Sequence, residues 1–339
     1  MYVLRSVSEH DLRALQRLSE MVFFINLPPD EDIIRAKIES SVRAFKSPSK
    51  RLWENYYIFV LEERASGEVV GVSMIHSQHG TEEEPHFFLR VGQEHKFSQT
   101  INTGFIHGTL KLGLETDGPT EIGGLVVNPD YRGNKHKLGK QLSFVRFLFM
   151  GMYPERFKPM IHSELMPPLD KNGNSPLWEA VGRRFMNMDY LDADRLSRSN
   201  KEFILSLFPS DNIYQTLLPI EARDAIGKVG KDTEPVKKML ESIGFKYTQE
   251  VDPFDGGPHY RCLLKDVKPI KNMKRGILSR ENFDPSMARD MLVALPKDDY
   301  DFFALKTKVY LHQDKLILNE DELGDLKIAW GQETAAIDF

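Results

Sequence analysis

The sequence predicts an α+β fold in which helices flank a central sheet. Two strand-like segments, 56–62 and 69–76, are separated by Ala65-Ser66-Gly67, which has the composition of a hairpin turn. A third segment, 121–127, is apolar on both faces and runs through a turn into a helix that begins near Leu138. Hairpins and a strand–turn–helix unit in one chain indicate that strands and helices share a single core.

The N-terminal region predicts one strand followed by two amphipathic helices. Residues 2–7 alternate as a strand does, and Ser8 with Asp11 has the pattern of a capping box at the start of the first helix. Pro28-Pro29-Asp30 opens the second helix. Apolar residues recur every three or four positions and mark the buried faces. They are Leu12, Leu15, Leu18 and Val22 in the first helix, and Ile34, Ile38, Val42 and Phe45 in the second.

Further strands and helices are predicted in the middle of the chain. We expect strands at 86–91 and 160–165, and a short helix at 174–185 that ends at Gly182. Residues 246–265 are typical of two strands joined by a glycine-rich turn. The helix that follows the 121–127 strand carries one apolar stripe, which we interpret as core. Its members are Leu138, Leu142, Val145, Phe149 and Met152.

Changes in composition divide the chain into regions. We expect residues 1–265 to form the main domain, with a polar, helix-rich insertion at 186–233. Acidic turns separate the short strands that follow, which indicates a small β-rich C-terminal subdomain at 266–339. The strands predicted there lie at 302–311, 315–318 and 326–330.

Composition and charge exclude several classes of function. The net charge of −5 and the pI near 6.1 argue against a dedicated nucleic-acid-binding protein. Cys262 is the single cysteine, so an intrachain disulfide and a cysteine zinc site are both excluded, which fits a reducing compartment. The ten histidines are scattered, and the spacing of His76 and His79 is a poor metal signature. We therefore expect no bound metal.

The sequence shows no apolar stretch long enough to cross a membrane. The start of the sequence shows no secretory signal. The most apolar stretch, 144–153, is too short to cross a bilayer and carries Arg146. These features predict a cytoplasmic protein without a membrane partner.

The turn after the 121–127 strand has the composition of an anion site. Backbone N–H groups at a helix start favour phosphate, and Gly133 and Gly139 allow a ligand to approach the backbone. Arg132 and Lys140 add positive charge, together with Lys135 and Lys137. The segment Asn-Pro-Asp-Tyr-Arg-Gly resembles the acyl-CoA-binding turn of the GNAT N-acyltransferase superfamily, with 134–137 as an expansion of that turn. The resemblance implies a GNAT-like mixed, mostly antiparallel central sheet flanked by helices.

Several stretches resemble the arginine N-succinyltransferase family within that superfamily. They occur in family order over about residues 1–270. They are Arg90-Val91-Gly92 with His95 and Ser98, Asn128 to Arg132, Ser175-Pro176-Leu177-Trp178, Gly182 to Phe185 with Met188-Asp189, Ile213-Tyr214, Ala225 to Val229, Gly244 to Tyr247, and Phe254-Asp255-Gly256-Gly257-Pro258. The resemblance implies transfer of a succinyl group from succinyl-CoA to the α-amine of arginine, in arginine catabolism, with release of CoA.

Two positions depart from the family pattern. The family carries a histidine, proposed as proton donor, where this sequence has Gly230. The family also has a glycine-rich first loop, which is here the bulkier run 23–28. These departures leave two alternatives open, namely a non-catalytic or regulatory subunit and an acyltransferase with another acyl donor or amine acceptor.

The resemblance also assigns residues to the acyl-CoA site. The backbone of Leu125, Val126 and Val127 is expected to pair with the pantetheine arm, although the side chains of Leu125 and Val127 also suit a core. The pyrophosphate is expected at Arg132, Gly133, Gly139 and Lys140.

Catalytic and acceptor-binding residues are candidates with simpler alternatives. Glu121 is a candidate water-relaying base or a solvated strand-end carboxylate, and His95 is a second candidate for proton transfer or an exposed histidine. Glu164 and Asp170 are candidates for the guanidinium of the acceptor, and Arg90 for the succinyl carboxylate. The alternative for Glu164 and Asp170 is a solvated carboxylate, and the alternative for Arg90 is a structural ion pair. We expect a homodimer or a pair with a related subunit, and small-molecule substrates.

Overall fold

The computed structural model describes residues 1–21, 28–198 and 200–339, and in this part of the chain it contains both strands and helices. The strands are β1 Tyr2–Ser6, β2 Tyr56–Glu63, β3 Glu68–His76, β4 His86–Ser98, β5 Thr103–Glu115, β6 Thr120–Val127, β7 Met160–Glu164, β8 Ile213–Tyr214, β9 Lys246–Val251, β10 Pro258–Leu263, β11 Lys274–Ser279, β12 Arg289–Ala294, β13 Phe303–His312, β14 Lys315–Leu318 and β15 Glu333–Asp338. The α-helices are α1 Leu12–Glu20, α2 Glu31–Lys46, α3 Leu138–Met152, α4 Pro176–Ala180, α5 Gly182–Met186, α6 Tyr190–Ser197, α7 Glu202–Leu207, α8 Ile220–Ala225, α9 Glu234–Ser242 and α10 Lys268–Lys271.

The chain divides into two compact units. The first unit combines Met1–Gln78, Thr120–Ile161 and Leu263–Phe339, and the second combines His79–Pro119 and His162–Cys262. None of the helices in the described residues is long and apolar enough to span a membrane.

The first unit is built on a sheet in the order β12-β15-β11-β14-β13-β1-β2-β3-β6. Among the described pairings of this unit, β11 with β14 is parallel and the others are antiparallel. Strand β1 pairs with β2 on one side and with β13 on the other, where Val3 lies opposite Leu305. The C-terminal strands therefore continue the sheet that the N-terminal hairpin begins.

Helices α1, α2 and α3 supply the core of the first unit. The predicted capping box between Ser8 and Asp11 is present ahead of α1. Leu15 and Leu18 of α1 and Ile34 and Ile38 of α2 are buried against strand residues such as Ile58. The predicted stripe on α3 is core, but twelve of the fifteen residues of this helix are buried, so it is enclosed on nearly every side rather than along one face.

The second unit has a sheet in the order β7-β10-β9-β4-β5-β8. The predicted strand at 86–91 is the first half of β4, which continues to Ser98 and pairs along its whole length with β5. Strand β5 was not predicted from the sequence. Buried residues of α4, α6, α7 and α8 pack on this sheet, with Trp178 fully enclosed at the centre of the apolar cluster.

Two sequence-based expectations about secondary structure are wrong. Gly182 does not end the helix predicted at 174–185, because it begins α5, the second of two short helices. A Cβ atom at Gly182 would lie 2.2 Å from Cε3 of Trp178, so glycine allows the helices to close around the indole. Residues 326–330 form no strand, since Leu326, Ile328 and Trp330 pack as a loop against the core of the first unit.

Candidate functional site

A β-bulge interrupts β6 at the centre of the predicted acyl-CoA segment. Val126 lies opposite Val72 and Gly123 opposite Met74, so β6 holds one residue more than β3 over this stretch. Gly124 has φ +60°, and a Cβ atom there would lie 2.2 Å from Cε of Met74. The bulge therefore needs glycine at this position.

The bulge decides which side chains of β6 enter the core. Val126 is buried with 2% exposure, whereas Leu125 and Val127 are only half-buried. The bulge interrupts the regular pairing of β6 with β3, so this half-buried stretch offers backbone groups to a ligand. The buried side chain of Val126 anchors the stretch in the core. This arrangement fits the predicted role of Leu125, Val126 and Val127 toward the pantetheine arm.

The turn after β6 is closed by its own side chains. The Asn128 side chain accepts a hydrogen bond from the Asp130 N–H at 3.1 Å, and Nε of Arg132 donates to the Val127 carbonyl oxygen at 3.0 Å. Asn134 bridges the second half, since Nδ2 donates to the Tyr131 carbonyl oxygen and Oδ1 accepts from the His136 N–H. These contacts hold the predicted two-residue expansion in a defined loop.

The start of α3 is open at the glycines predicted to face pyrophosphate. Gly133 has φ +70° and no atom within 4 Å of an added Cβ, and the nearest such atom at Gly139 is Cγ2 of Val127 at 3.9 Å. The first N–H groups of a helix have no partner within the helix, which favours an anion there. Arg132 is exposed in the same turn.

Lys140 occupies a different environment from the rest of the turn. Its Nζ lies 4.8 Å from the ring centroid of Phe144 and 4.6 Å from that of Phe339. Burial, with help from the charges of Lys137 and Lys306, lowers the pKa of Lys140. The two aromatic faces hold this ammonium group by cation–π attraction.

Glu121 is not a solvated carboxylate at a strand end. It is 9% exposed and lies in β6 opposite His76 of β3. The neighbouring backbone is tied to α3, because Arg146 donates from Nη1 to the Gly123 carbonyl oxygen at 3.2 Å. Complete burial lowers the pKa of Arg146 to about 9. Glu121, the bulge and the predicted anion-binding turn thus belong to one strand–turn–helix segment of the first unit.

The remaining predicted site residues lie on separate elements of the second unit. His95 is exposed on the outer half of β4, opposite Ile106 of β5. Arg90 is exposed on the same strand, with Nη2 3.4 Å from Oε1 of Glu250. Its guanidinium also lies 5.5 Å from the ring centroid of Phe88.

Asp170 and Glu164 have distinct partners. Oδ1 of Asp170 accepts the backbone N–H groups of Asn172 and Asn174, each at 2.8 Å, and hydrogen bonds of its own loop lower its pKa. Glu164 ends β7, with Oε1 3.2 Å from Nε2 of His162. Asp170 therefore shapes its loop, while Glu164 points its carboxylate at a histidine.

Family stretches that are far apart in sequence meet in the second unit. Oγ of Ser175 donates to the Phe254 carbonyl oxygen at 2.9 Å, and the rings of Trp178 and Phe254 stack with centroids 5.0 Å apart. The Gly227 N–H donates to the Gly256 carbonyl oxygen at 2.9 Å. Burial raises the pKa of Asp255, in the same turn, to about 7.

Gly230 lies in a tight backbone environment. Its N–H donates to the Met166 carbonyl oxygen at 2.8 Å, and a Cβ atom would lie 2.9 Å from the carbonyl oxygen of Pro167. A side chain at this position requires the backbone of 166–167 to move. The bulky run at 23–28, the other departure from the family, falls almost entirely at 22–27, outside the described residues.

Three histidines that the sequence analysis treated as scattered surround the Glu164 carboxylate. They are His86, His162 and His259, which are fully or almost fully buried. Burial lowers the pKa of His259 to about 3 and that of His86 well below its ordinary value, so both rings are neutral. Only the pairing of distant strands brings these residues together, so no local pattern could have found them.

Comparisons with known proteins identify related chains. A family model described as arginine N-succinyltransferase beta subunit matches residues 2–269. An arginine N-succinyltransferase of Shigella dysenteriae serotype 1 (strain Sd197) is 31% identical over 341 residues, covering 99% of this chain and 97% of that protein. One of Escherichia coli (strain 55989 / EAEC) is 30% identical with the same coverage.

A solved structure extends the comparison to the fold. Arginine/ornithine succinyltransferase subunit AI from Pseudomonas aeruginosa matches with a TM-score of 0.84 and 26% identity, covering 100% of this chain and 98% of that one. The chain belongs to the arginine N-succinyltransferase family. The family prediction and the α+β class predicted from the sequence are both confirmed.

Proposed function

We propose that this protein is a CoA-dependent N-acyltransferase that moves the succinyl group of succinyl-CoA to the α-amine of arginine, in arginine catabolism. The observation that carries the proposal is similarity over the full chain to arginine N-succinyltransferases. The bulged strand, the closed turn and the open helix start support it, because this segment is suited to hold the thioester arm and the phosphates of an acyl-CoA.

The acyl-CoA site lies along β6 and the start of α3. Backbone groups of 125–127 pair with the pantetheine arm, and one N–H faces the thioester oxygen. The N–H groups at the start of α3, the open backbone at Gly133 and Gly139, and the Arg132 guanidinium take the pyrophosphate. Lys140 contributes from its position over Phe144 and Phe339 as a nearby positive charge. This proposed arrangement is GNAT-like.

The chemistry requires little beyond positioning and one proton transfer. The neutral α-amine attacks the thioester carbonyl, the carbon–sulfur bond breaks, and the amine proton leaves while the thiolate of CoA gains one. Model α-amines titrate near ~8, so a useful fraction is neutral at physiological pH. The buried Glu121 accepts the amine proton through a water molecule, a step worth about 10²-fold or more. His95 is the second candidate for this transfer.

Recognition of the two substrates uses carboxylates and one arginine. A carboxylate matches the fork of a guanidinium, so Glu164 is our candidate for the arginine side chain, with Asp170 contributing from its loop. Arg90 is the candidate for the succinyl carboxylate, because its contact with Glu250 at 3.4 Å is loose and its side chain is exposed.

The test is release of CoA thiol by the purified full chain. Succinyl-CoA and acetyl-CoA are each offered to arginine, ornithine and lysine, and the product masses are read. We expect arginine-dependent release with succinyl-CoA and a succinyl adduct. Glu121→Gln should lower kcat about 10²-fold, whereas His95→Gln, a matched loss of a titratable group at an exposed site, should not. The reverse order of effects would assign the proton transfer to His95.

Gly230 supports a second candidate function, a subunit that binds CoA without turnover. The family places a proton donor at this position, and this chain has a glycine packed against the Pro167 carbonyl oxygen. The same assay separates the two cases. CoA binding without thiol release from any pair of substrates would favour a non-catalytic subunit, while release with another donor or amine would favour a changed substrate.

An exposed apolar patch supports self-association or pairing with a related subunit. The outer end of the β4–β5 hairpin exposes Phe97, Ile101, Phe105 and Ile106 by 61–68% each. Exposed patches of this kind mark protein interfaces. Replacing Phe97 and Phe105 by serine should leave the melting temperature unchanged and reduce the mass measured by light scattering. Equal masses of the variant and the parent protein would contradict this interface.

The organisation of the chain and its location are part of the proposal. The family model ends at residue 269, which supports an acyltransferase domain at 1–265 with its helix-rich insertion at 186–233. The β-rich segment 266–339 is then an appendage whose strands join the sheet of the first unit. A chain with one buried cysteine and small-molecule substrates fits the cytoplasm.

A further inference from the structure

Three imidazoles and one carboxylate meet inside the second unit. His86 is the first residue of β4, His162 and Glu164 lie on β7, and His259 is the second residue of β10. One nitrogen or oxygen atom from each residue lies within 4.8 Å of the corresponding atom of every other. The ring centroids of the three histidines are 4.7–5.3 Å apart. The strand order of the sheet, and not the sequence, creates this histidine–glutamate cluster.

The cluster leaves buried nitrogen atoms without partners. Within the described part of the chain, Nε2 of His86 and both ring nitrogens of His259 make no hydrogen bond, and both residues are at most 1% exposed. An unpartnered buried polar group costs about 1–3 kcal/mol. His259 carries this cost at both ring nitrogens, so a ligand for its lone pair would remove part of the cost.

The spacing of the donor atoms has the dimensions of a metal site. Oε1 of Glu164 lies 3.8 Å from Nδ1 of His86, 3.2 Å from Nε2 of His162 and 3.7 Å from Nε2 of His259. Zn–N and Zn–O bonds of about 2.0–2.2 Å place the ligands of a tetrahedral ion roughly 3.3–3.5 Å from one another. The observed separations therefore need only small side-chain movements to reach that geometry.

We propose that His86, His162, His259 and Glu164 form a binding site for a divalent transition-metal ion, with Zn²⁺ as the best match. Imidazole and carboxylate are the ligands that zinc takes from proteins in the absence of cysteine. Three neutral nitrogens and one carboxylate leave a net charge of +1 on the bound centre. The adjacent guanidinium of Arg261 is paired with the carboxylates of Glu115 and Glu250. The site shares Glu164 with the acyl-transfer proposal, in which this carboxylate is the candidate for the guanidinium of arginine, but the metal proposal rests on the histidines and on a binding measurement without substrates.

Arg261 contacts His162, and this contact must change before His162 can bind the ion. Its Nε donates to Nδ1 of His162 at 3.2 Å, while Nη1 and Nη2 each lie 2.9 Å from the Glu115 carboxylate. A metal at Nε2 of His162 requires the proton on Nδ1, so binding breaks the Arg261–His162 contact. Glu115 and Glu250 keep the guanidinium in place when that happens. Glu164 also exchanges its 3.2 Å contact with Nε2 of His162 for the ion. His259 needs no such change, because neither of its ring nitrogens makes a hydrogen bond among the described residues.

The test uses the full chain stripped of metal with a chelator. Titration with Zn²⁺ should show one equivalent bound and a rise in melting temperature. Co²⁺ in place of Zn²⁺ should give the visible absorption of a four-coordinate centre with nitrogen and oxygen ligands. His259→Gln and Glu164→Gln should each weaken Zn²⁺ binding by at least about tenfold, the lower range for disturbed metal sites. His95→Gln, at an exposed position of β4, serves as the matched control.

Folding of the variants is checked separately, since the histidines are buried. Far-ultraviolet circular dichroism of His259→Gln without metal should match that of the stripped parent protein. Glu164 is partly exposed, so Glu164→Gln keeps the test valid if the histidine variant unfolds. The proposal is overturned if the stripped protein binds no Zn²⁺, or if Glu164→Gln binds it as tightly as the parent and the His95→Gln control do. Neither result depends on enzymatic turnover.

Discussion

Nε of Arg132 donates a hydrogen bond of 3.0 Å to the carbonyl oxygen of Val127. The bond joins the last residue of the bulged strand β6 to the turn that precedes α3. The Arg132 side chain is exposed in the same turn as Gly133, where an added Cβ would meet no atom within 4 Å. One arginine thus closes the turn, and in the proposed site it also supplies positive charge for a phosphate ligand.

Arg132→Ala should weaken CoA binding about tenfold, because a hydrogen bond to a charged group contributes about 1.5–3 kcal/mol. Arg132→Lys should recover only part of this loss, since lysine keeps the charge but lacks the planar fork. Binding is measured by calorimetry with CoA. Lys135→Ala, another exposed cation in the same turn, is the control and should have a smaller effect. Equal losses in the two alanine variants would show that only net charge matters.

Gly139→Ala should change stability and binding in opposite directions. Gly139 is the second residue of α3 and has room for a Cβ atom, so alanine should raise the free energy of unfolding by up to ~0.5–1 kcal/mol. In the proposed site the methyl group would occupy the face where pyrophosphate approaches, so the Kd for CoA should rise. Denaturant unfolding and calorimetry measure the two effects.

Gly133→Ala provides the contrast to this variant. Its φ of +70° disfavours a side chain, so alanine there should lower the free energy of unfolding by about 1 kcal/mol. Unchanged CoA affinity in Gly139→Ala would remove this glycine from the proposed site.

Gly230→His, which supplies the histidine of the family pattern, should destabilise the protein whatever its effect on turnover. The added Cβ meets the Pro167 carbonyl oxygen at 2.9 Å, so the free energy of unfolding should fall by about 1–3 kcal/mol. Gly230→Ala should show most of the same loss, because the Cβ atom alone causes the contact. Lys231→His, at the adjacent exposed position, is the control and should unfold like the parent. A Gly230→His variant as stable as the parent would show that 166–167 move easily.

Acid should remove the contribution of one buried ion pair in the first unit. Arg5 donates two hydrogen bonds of 2.8 Å to the Asp11 carboxylate. Burial opposes ionisation of Asp11, but the hydrogen bonds and charge of Arg5 outweigh it and lower the pKa of Asp11. The stabilisation is therefore complete above the unfolded-chain pKa of about 3.9 and is lost as the pH falls through the lower pKa of the folded protein.

Asp11→Asn should accordingly cost about 3 kcal/mol at neutral pH, and less as the pH falls through the folded pKa. Urea unfolding across this range measures the difference from the parent. Asp32→Asn, at an exposed position of α2, should show no such dependence. A constant difference between Asp11→Asn and the parent down to strong acid would refute the assignment.

Local signals predicted the segments of the fold whose neighbours in sequence are also their neighbours in space. The capping box at Ser8 and Asp11 and the hairpin of β2 and β3 are examples. The unit formed by β6, the turn and α3 was also recognised, because its glycines and its Asn-Pro turn determine the local backbone. Arg132 was placed in this turn from sequence, and the structure adds its bond to Val127.

Periodicity alone was misleading where tertiary packing decided the outcome. Leu326, Ile328 and Trp330 alternate as a strand would, but they pack as a loop on the core of the first unit. Strand β5 escaped prediction because its pairing with β4 leaves much of it exposed, so it lacks a continuous apolar face. The bulky run that departs from the family pattern lies almost entirely at 22–27, outside the described residues. Its effect on the choice of substrate therefore stays a prediction.

By itself the sequence determined the family and the α+β class and predicted the acyl-CoA turn, because these depend on residues adjacent along the chain. Tertiary structure decided that Glu121 is buried, that Gly230 has no room for a side chain, and that His86, His162 and His259 meet around Glu164. The physical reason is that burial and coordination depend on which strands pair. Residues more than seventy positions apart become neighbours only when β7, β10 and β4 take their places in one sheet.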